Sequence, residues 1–265
     1  MRNLLRADFF KLKRSRAFWV CALIGAVIAV LMVIAMNADI TRSLARGPDS
    51  RGYGEAQAMS AAASALWAIT QFLPQNFIVL LAGVFASIFV TAEFGDGTIK
   101  NTLSHGAERT KVLASKFVTC SVASLFILAV SLLALTIAGS IVWGFDPQGA
   151  STAGGFAGMI GLQALLMVGF VALFTFIGMS VRSTGGALAT TIIATMMVST
   201  LLGAINALFN TTVDLSQYWI GGAISTLATT TPASGDVVRG IAVALVWGVA
   251  SLVAGTALFE KRDVK

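Results

Sequence analysis

The sequence predicts an all-α integral membrane protein with six transmembrane helices and both termini cytoplasmic. Three observations predict it: a shortage of charge, long stretches with no charge at all, and a one-sided distribution of basic residues. Of 265 residues, 57% are apolar and 11% charged, where a soluble domain carries about 25% charged residues. A chain so rich in Leu, Ile, Val and Phe can bury enough apolar surface to offset its ordering entropy, which excludes disorder.

A helix crossing a hydrocarbon core of roughly 30 Å needs about 20 residues nearly free of charge. No charge lies between Arg16 and Asp39, so residues 17–36 form the first span behind a segment, 1–16, that stays outside the core. The uncharged stretch from Glu55 to Glu93 is too long for one straight helix and holds Pro74. Proline suits helix starts better than helix centres, so an external helix over 56–69 is expected, then a second span over 73–92. The third span, 117–143, follows Lys116 and stops before Asp146 and Pro147; the fourth covers 156–181. A hairpin at Arg182 to Gly186 returns the chain into a fifth span over 187–209, and a sixth occupies 240–259, leaving 260–265 as a tail.

Basic residues are retained on the cytoplasmic side during insertion. With the amino terminus inside, only Arg42, Arg46, Arg51 and Arg239 of the 18 Lys and Arg fall outside, while the 12 acidic residues divide evenly. Topology thus accounts for the net charge of +6, and no nucleic-acid partner is expected. The first apolar run is longer than a signal-peptide core and has no small-x-small cleavage site near Asn37, so it reads as a retained anchor.

Chemistry-bearing motifs are sparse. The single histidine, His105, has no metal-ligating companions, and there is no Cys-x-x-Cys or His-Glu-x-x-His pattern. No metal, cofactor or catalytic residue is expected. Cys21 and Cys120 fall in apolar runs and read as buried small hydrophobes. A P-loop is absent, so ATP, if used, must be bound by another chain. No ionisable group is placed inside a span, which argues against a proton-coupled carrier. Gln163, Asn206 and the span Ser and Thr residues read as hydrogen-bonding glue between helices. Gly154, Gly155, Ala157, Gly158 and Gly161 place small residues on one face of the fourth span, where a neighbour can approach.

The segment 93–116 between the second and third spans is the most informative. Asp96 or Thr98 can cap a short helix on which Ile99 and Leu103 stand one turn apart, and Gly106 can stop it. Such a segment is either a solvated connector or a helix shaped to press into a groove on a soluble partner. Its pattern, Glu93-x-x-x-Gly97-Thr98-Ile99-x-Asn101, then Glu108-Arg109-Thr110-Lys111 and Lys116, resembles the corresponding loop of ABC-2 family permeases, including bacterial peptide-export and lantibiotic-immunity members. The family often has a basic residue just after the glutamate, where this chain has Gly95 and Asp96. The start of the chain fits as well. Leu5, Phe9 and Leu12 form an apolar stripe among Arg2, Arg6, Lys13 and Arg16, like the interfacial helix that opens those permeases.

The resemblance implies a type V exporter-like fold in a bacterial plasma membrane. It implies a pathway shared with a second permease chain, identical or homologous, and driven by two separate ATPase subunits that hold the ATP-Mg. Glu93, Gly97 and Thr98 would shape the coupling loop, whose contact set also takes in Asn101 and His105. Ile99 and Leu103 would fill the ATPase groove, and Lys100, Arg109 and Lys111 would meet acidic partner groups. Residues 210–238, with Tyr218 and Trp219, resemble the family's external re-entrant segment; their other reading is an interfacial loop. The alternative function is a stand-alone membrane protein, a channel, sensor or assembly factor, with no ATPase partner.

Overall fold

The computed structural model describes residues 1–48, 51–95, 97–98, 108–144, 153–209 and 214–261. Among them the regular structure is helical throughout: α1 (Arg2–Arg14), α2 (Arg16–Ala45), α3 (Tyr53–Ala62), α4 (Ala65–Phe72), α5 (Phe77–Gly95), α6 (Arg109–Trp143), α7 (Ala153–Val181), α8 (Thr184–Ile192), α9 (Val198–Phe209), α10 (Ile220–Thr226) and α11 (Ser234–Lys261). A π-helical turn over Ile193–Met197 makes α8 and α9 one continuous rod. Six helices are long and apolar enough to cross a membrane: α2, α5, α6, α7, the α8–α9 rod and α11.

Each of the six expected spans overlaps one of these helices, the second starting at Phe77 rather than 73, and several helices outrun the expectation. The chain leaves an apolar layer where charge appears, whereas a helix ends where a breaker appears. Thus α2 continues through Asp39 and Arg42 to Ala45 and stops at Gly47, whose φ of +86° favours glycine, ahead of Pro48. Likewise α6 begins at Arg109, so the expected loop 93–116 loses its last eight residues to a helix, and α11 begins at Ser234 rather than 240. The expected external helix over 56–69 is two, α3 and α4, parted by Ala63 and by Ser64, whose side chain accepts from Trp67 N and so caps α4. Pro74 stands at the start of a 3₁₀ turn, Leu73–Gln75, directly before α5.

Successive spans alternate in direction, so two ends of the bundle can be distinguished. At one end gather α1, the starts of α2, α6 and α8, and the finishes of α5, α7 and α11. There Thr91 of α5 meets Thr184 of α8 at 2.9 Å, and Arg109 of α6 donates to the Phe259 carbonyl of α11 at 2.7 Å. At the far end Trp143 of α6 donates to Asn37 of α2 at 3.1 Å, and Gln163 of α7 donates to the Ile224 carbonyl of α10 at 2.9 Å. Gln163 thus acts as the expected glue, as do Ser87 and Thr191, 2.9 Å apart between α5 and α8. Cys21 and Cys120 are both free and buried.

Two glycines of the stripe at the start of α7, Gly158 and Gly161, are less closely approached than two later ones. A Cβ on Gly158 or Gly161 would meet open space, whereas one on Gly169 would stand 3.1 Å from the Ala244 carbonyl of α11 and one on Gly178 would stand 2.9 Å from Val90 of α5. Gly158 and Gly161 mark a face that could be approached; at Gly169 and Gly178 a neighbour does approach.

Candidate functional site: a buried charge cluster at the α1 end

Ser15 sets the site's first element. Its extended backbone (φ −69°, ψ 116°) breaks the helix between α1 and α2, and its hydroxyl accepts from Phe18 N at 3.4 Å, capping α2. The last turn of α1 carries Lys11, Lys13 and Arg14, which suit the negative end of a helix dipole. From this elbow α1 folds back along α6. Leu12 is buried and Leu5 and Phe9 are half-buried, so the apolar stripe expected to lie on the membrane surface is turned largely towards protein. Lys13 and Arg16 remain exposed.

Asp8 lies on that same inward face, one helical turn before Leu12, and is only 5% exposed. A carboxylate so placed needs a cation and hydrogen bonds to offset its desolvation. It has both: Lys116 Nζ at 2.5 Å from Oδ1, and the Ser115 hydroxyl donating to Oδ2 at 2.6 Å. Lys116, 2% exposed, also donates to Glu93 Oε1 at 2.6 Å and stands 4.8 Å from the centre of the Phe89 ring. Glu93 Oε1 accepts a further bond from Lys11 at 2.6 Å. Two carboxylates and two ammonium groups thus cancel in charge and join α1, α5 and α6. Glu93 and Lys116 stand just beyond the expected second span and just before the expected third, and α5 and α6 extend far enough to take both in. Glu93 belongs to the last turn of α5 and Lys116 to the third turn of α6, both buried.

The residues singled out for the 93–116 segment divide accordingly. Glu93 was expected to shape the connection; its carboxylate is committed to the cluster, while its carbonyl accepts from the Thr98 hydroxyl at 3.5 Å. Gly97 has φ +66°, a left-handed conformation that glycine adopts without strain. Arg109 and Lys111 were expected to meet acidic groups of a partner. Within the chain, Arg109 donates to the Phe259 carbonyl and lies over the Phe259 ring at 5.7 Å, near the finish of α11, where cations complement the helix dipole. Lys111 pairs with Glu108 at 2.6 Å on an exposed surface. Ile99, Lys100, Asn101, Leu103 and His105 lie outside the described residues.

Asp8 and Ser115 were missed by the sequence reading. The signal for Asp8 was present: it is the only acidic residue among the first 38, and it sits in register with an apolar stripe. An acid on a buried face calls for a buried cation, and Lys116 opens the adjacent apolar run.

Fold and cluster together define a class: an all-α protein of multi-pass membrane character, with an ionic joint at one end of its bundle. The chain belongs to the DUF2705 family, described as a protein of unknown function, whose model matches residues 23–265. The matched segment contains Glu93 and Lys116 and begins after Asp8 and Lys11. Comparison with curated proteins gives no match.

Proposed function

We propose that this protein is the permease subunit of an ABC exporter of the ABC-2 type, in a bacterial plasma membrane with both termini cytoplasmic. Paired with a second permease chain, identical or homologous, it forms a path for a hydrophobic or amphipathic substrate such as a peptide, lipid or drug. Two ATPase subunits dock on the segment between α5 and α6 and supply the energy.

The observation that carries this reading is how that segment is rooted. The α5 finish is tied through Glu93 to Lys11 and Lys116, and the α6 start is tied through Lys116 to Asp8 and through Arg109 to the end of α11. A push on the connection therefore reaches α1, α5, α6 and α11 together, as a coupling element requires. The loop pattern from Glu93 to Lys116 and the six apolar spans support the same reading.

The test is a mild-detergent pull-down of the tagged wild type beside the double substitution Ile99→Asp/Leu103→Asp, with ATP hydrolysis assayed in each eluate. A P-loop ATPase should co-purify with wild type and be lost from the variant. Wild type that captures no ATPase in any detergent or lipid tried would instead mark a stand-alone membrane protein.

A further inference from the structure

The elbow between α1 and α2 leaves a groove of about 250 Å³ against α6, walled by Phe9, Phe18, Trp19, Val122 and Phe126 with Lys13 at its edge. Its walls are fixed. The Trp19 indole donates to the Lys13 carbonyl at 3.0 Å, and the Phe18 ring packs against the rings of Trp19 and Phe126 at 5.2 and 5.3 Å. The groove nevertheless stays open, with Trp19 54%, Val122 44% and Phe126 41% exposed. It lies at the first turn of a membrane-length helix, the level at which an apolar layer meets polar headgroups.

Charge selects the occupant. α1 and the start of α2 carry Arg2, Arg6, Lys11, Lys13, Arg14 and Arg16 against a single carboxylate, Asp8. Asp8 is consumed by Lys116 inside the protein, and Lys11 is consumed by Glu93. Five cations therefore remain on the outer side of the elbow, none in an ion pair among the described residues. A second copy meeting this face across a two-fold axis would bring the same five cations against them. An anionic lipid brings the opposite charge and a chain of the right chemistry for an aromatic slot.

We propose that the elbow groove binds one acyl chain of an anionic phospholipid from the leaflet on the α1 side, with the lipid phosphate held at Lys13. The lipid is a resident of the protein's flank, independent of any transported substrate and of any ATPase. Bound there, it fills the angle between α1 and α2 and stabilises the folded-back position of α1.

The test uses the full chain reconstituted in mixed phosphatidylcholine and phosphatidylglycerol vesicles, with bromine on the acyl chains of one lipid or the other. Bromine quenches tryptophan on contact, and the Trp19 contribution is the difference between wild type and Trp19→Phe. Trp19 should reach half-quenching at an about five-fold lower mole fraction of brominated phosphatidylglycerol than of brominated phosphatidylcholine, the preference that one basic residue confers near an anionic lipid. Two variants should each bring the curves together: Lys13→Gln, at an exposed position, by removing the phosphate contact, and Val122→Phe by filling the slot. Coincident curves in wild type would mean that Trp19 meets only bulk lipid, and would overturn the proposal. So would a Trp19 quenched by neither lipid, as when a second copy covers the groove, or a preference that survives both substitutions.

Discussion

The two ends of this bundle are held by different physics. At the α1 end a neutral quartet of charges, Asp8, Lys11, Glu93 and Lys116, joins three helices with every contact at 2.5–2.6 Å. At the far end α10 is wedged between α7 and α11 by rings and neutral hydrogen bonds. Buried Trp219 packs edge-on against Phe170 at 5.7 Å and Trp247 at 4.9 Å, Trp247 donates to the Tyr218 carbonyl at 3.0 Å, and Gln163 holds the Ile224 carbonyl. Ionic joints are strong only while complete, because each charge was desolvated to build them. Packed joints weaken in proportion to the atoms removed. The α1 end should therefore fail all at once, and the far end by degrees.

The largest effect follows from removing the ammonium that both carboxylates share. Lys116→Met should lower stability by about 3–5 kcal/mol, the cost of stranding buried charge, read as the shift in an SDS-titration unfolding curve. Adding Asp8→Asn and Glu93→Gln to the same chain should recover most of that loss, since the triple variant has no buried carboxylate left unpaired. A Lys116→Met chain as stable as wild type, or a triple variant worse than the single one, would show that charge does not hold this end.

The far end breaks differently. A Cβ on Gly222 would lie 1.9 Å from the Ser216 carbonyl oxygen, a backbone atom that cannot rotate away. Gly222→Ala should cost about 1–3 kcal/mol, the usual range for forced overpacking, in the same assay. Gly158→Ala, facing open space in α7, should be neutral or stabilising by up to about 1 kcal/mol through helix propensity. Equal effects at both glycines would remove the packed-joint reading.

This contrast also measures what was legible in the sequence. Six spans were legible because an uncharged run of membrane length has few other uses. Their ends were not, because Asp39 and Arg42 mark where α2 leaves an apolar layer while Gly47 and Pro48 mark where it stops. The segment from Glu93 was located by its pattern, yet the cluster that roots it was not. Pairing Asp8 with Lys116 closes 108 residues of chain, and neither residue's neighbours in sequence announce the other. Glycines at 158 and 161 looked like a packing face, but small residues report only what could approach. Which neighbour does approach, as at Gly169 and Gly178, is decided by the bundle.

Lys11 sharpens the ionic half of the comparison. Its side chain is 48% exposed, against 3% for Lys116, although both reach the same Glu93 oxygen at 2.6 Å. Water screens a half-exposed pair, so Lys11→Gln should cost less than about 1 kcal/mol. A loss as large as that of Lys116→Met would mean that Lys11, not Lys116, closes the joint.

The smallest effect is expected at Asp214, on the 3₁₀ turn Leu215–Tyr218 that leads into Trp219. The Ser216 hydroxyl donates to its carboxylate at 2.7 Å, the first of several hydrogen bonds that hold the group below the usual carboxylate range; the Ser216 amide at 3.0 Å and the Asn206 amide also contribute. A group whose pKa is lower folded than unfolded contributes stability that is present above the unfolded value, about 3.9, and is lost as pH falls through the folded one. Hydrogen exchange of the turn amides, corrected for intrinsic rate, should accelerate only below that unfolded value, and Asp214→Asn should abolish the step. The carboxylate is exposed, so the loss should stay within the turn and leave the Trp219–Trp247 packing intact. A step that spread to α10 would show that the far end leans on this one charge, and would erase the contrast with the α1 end.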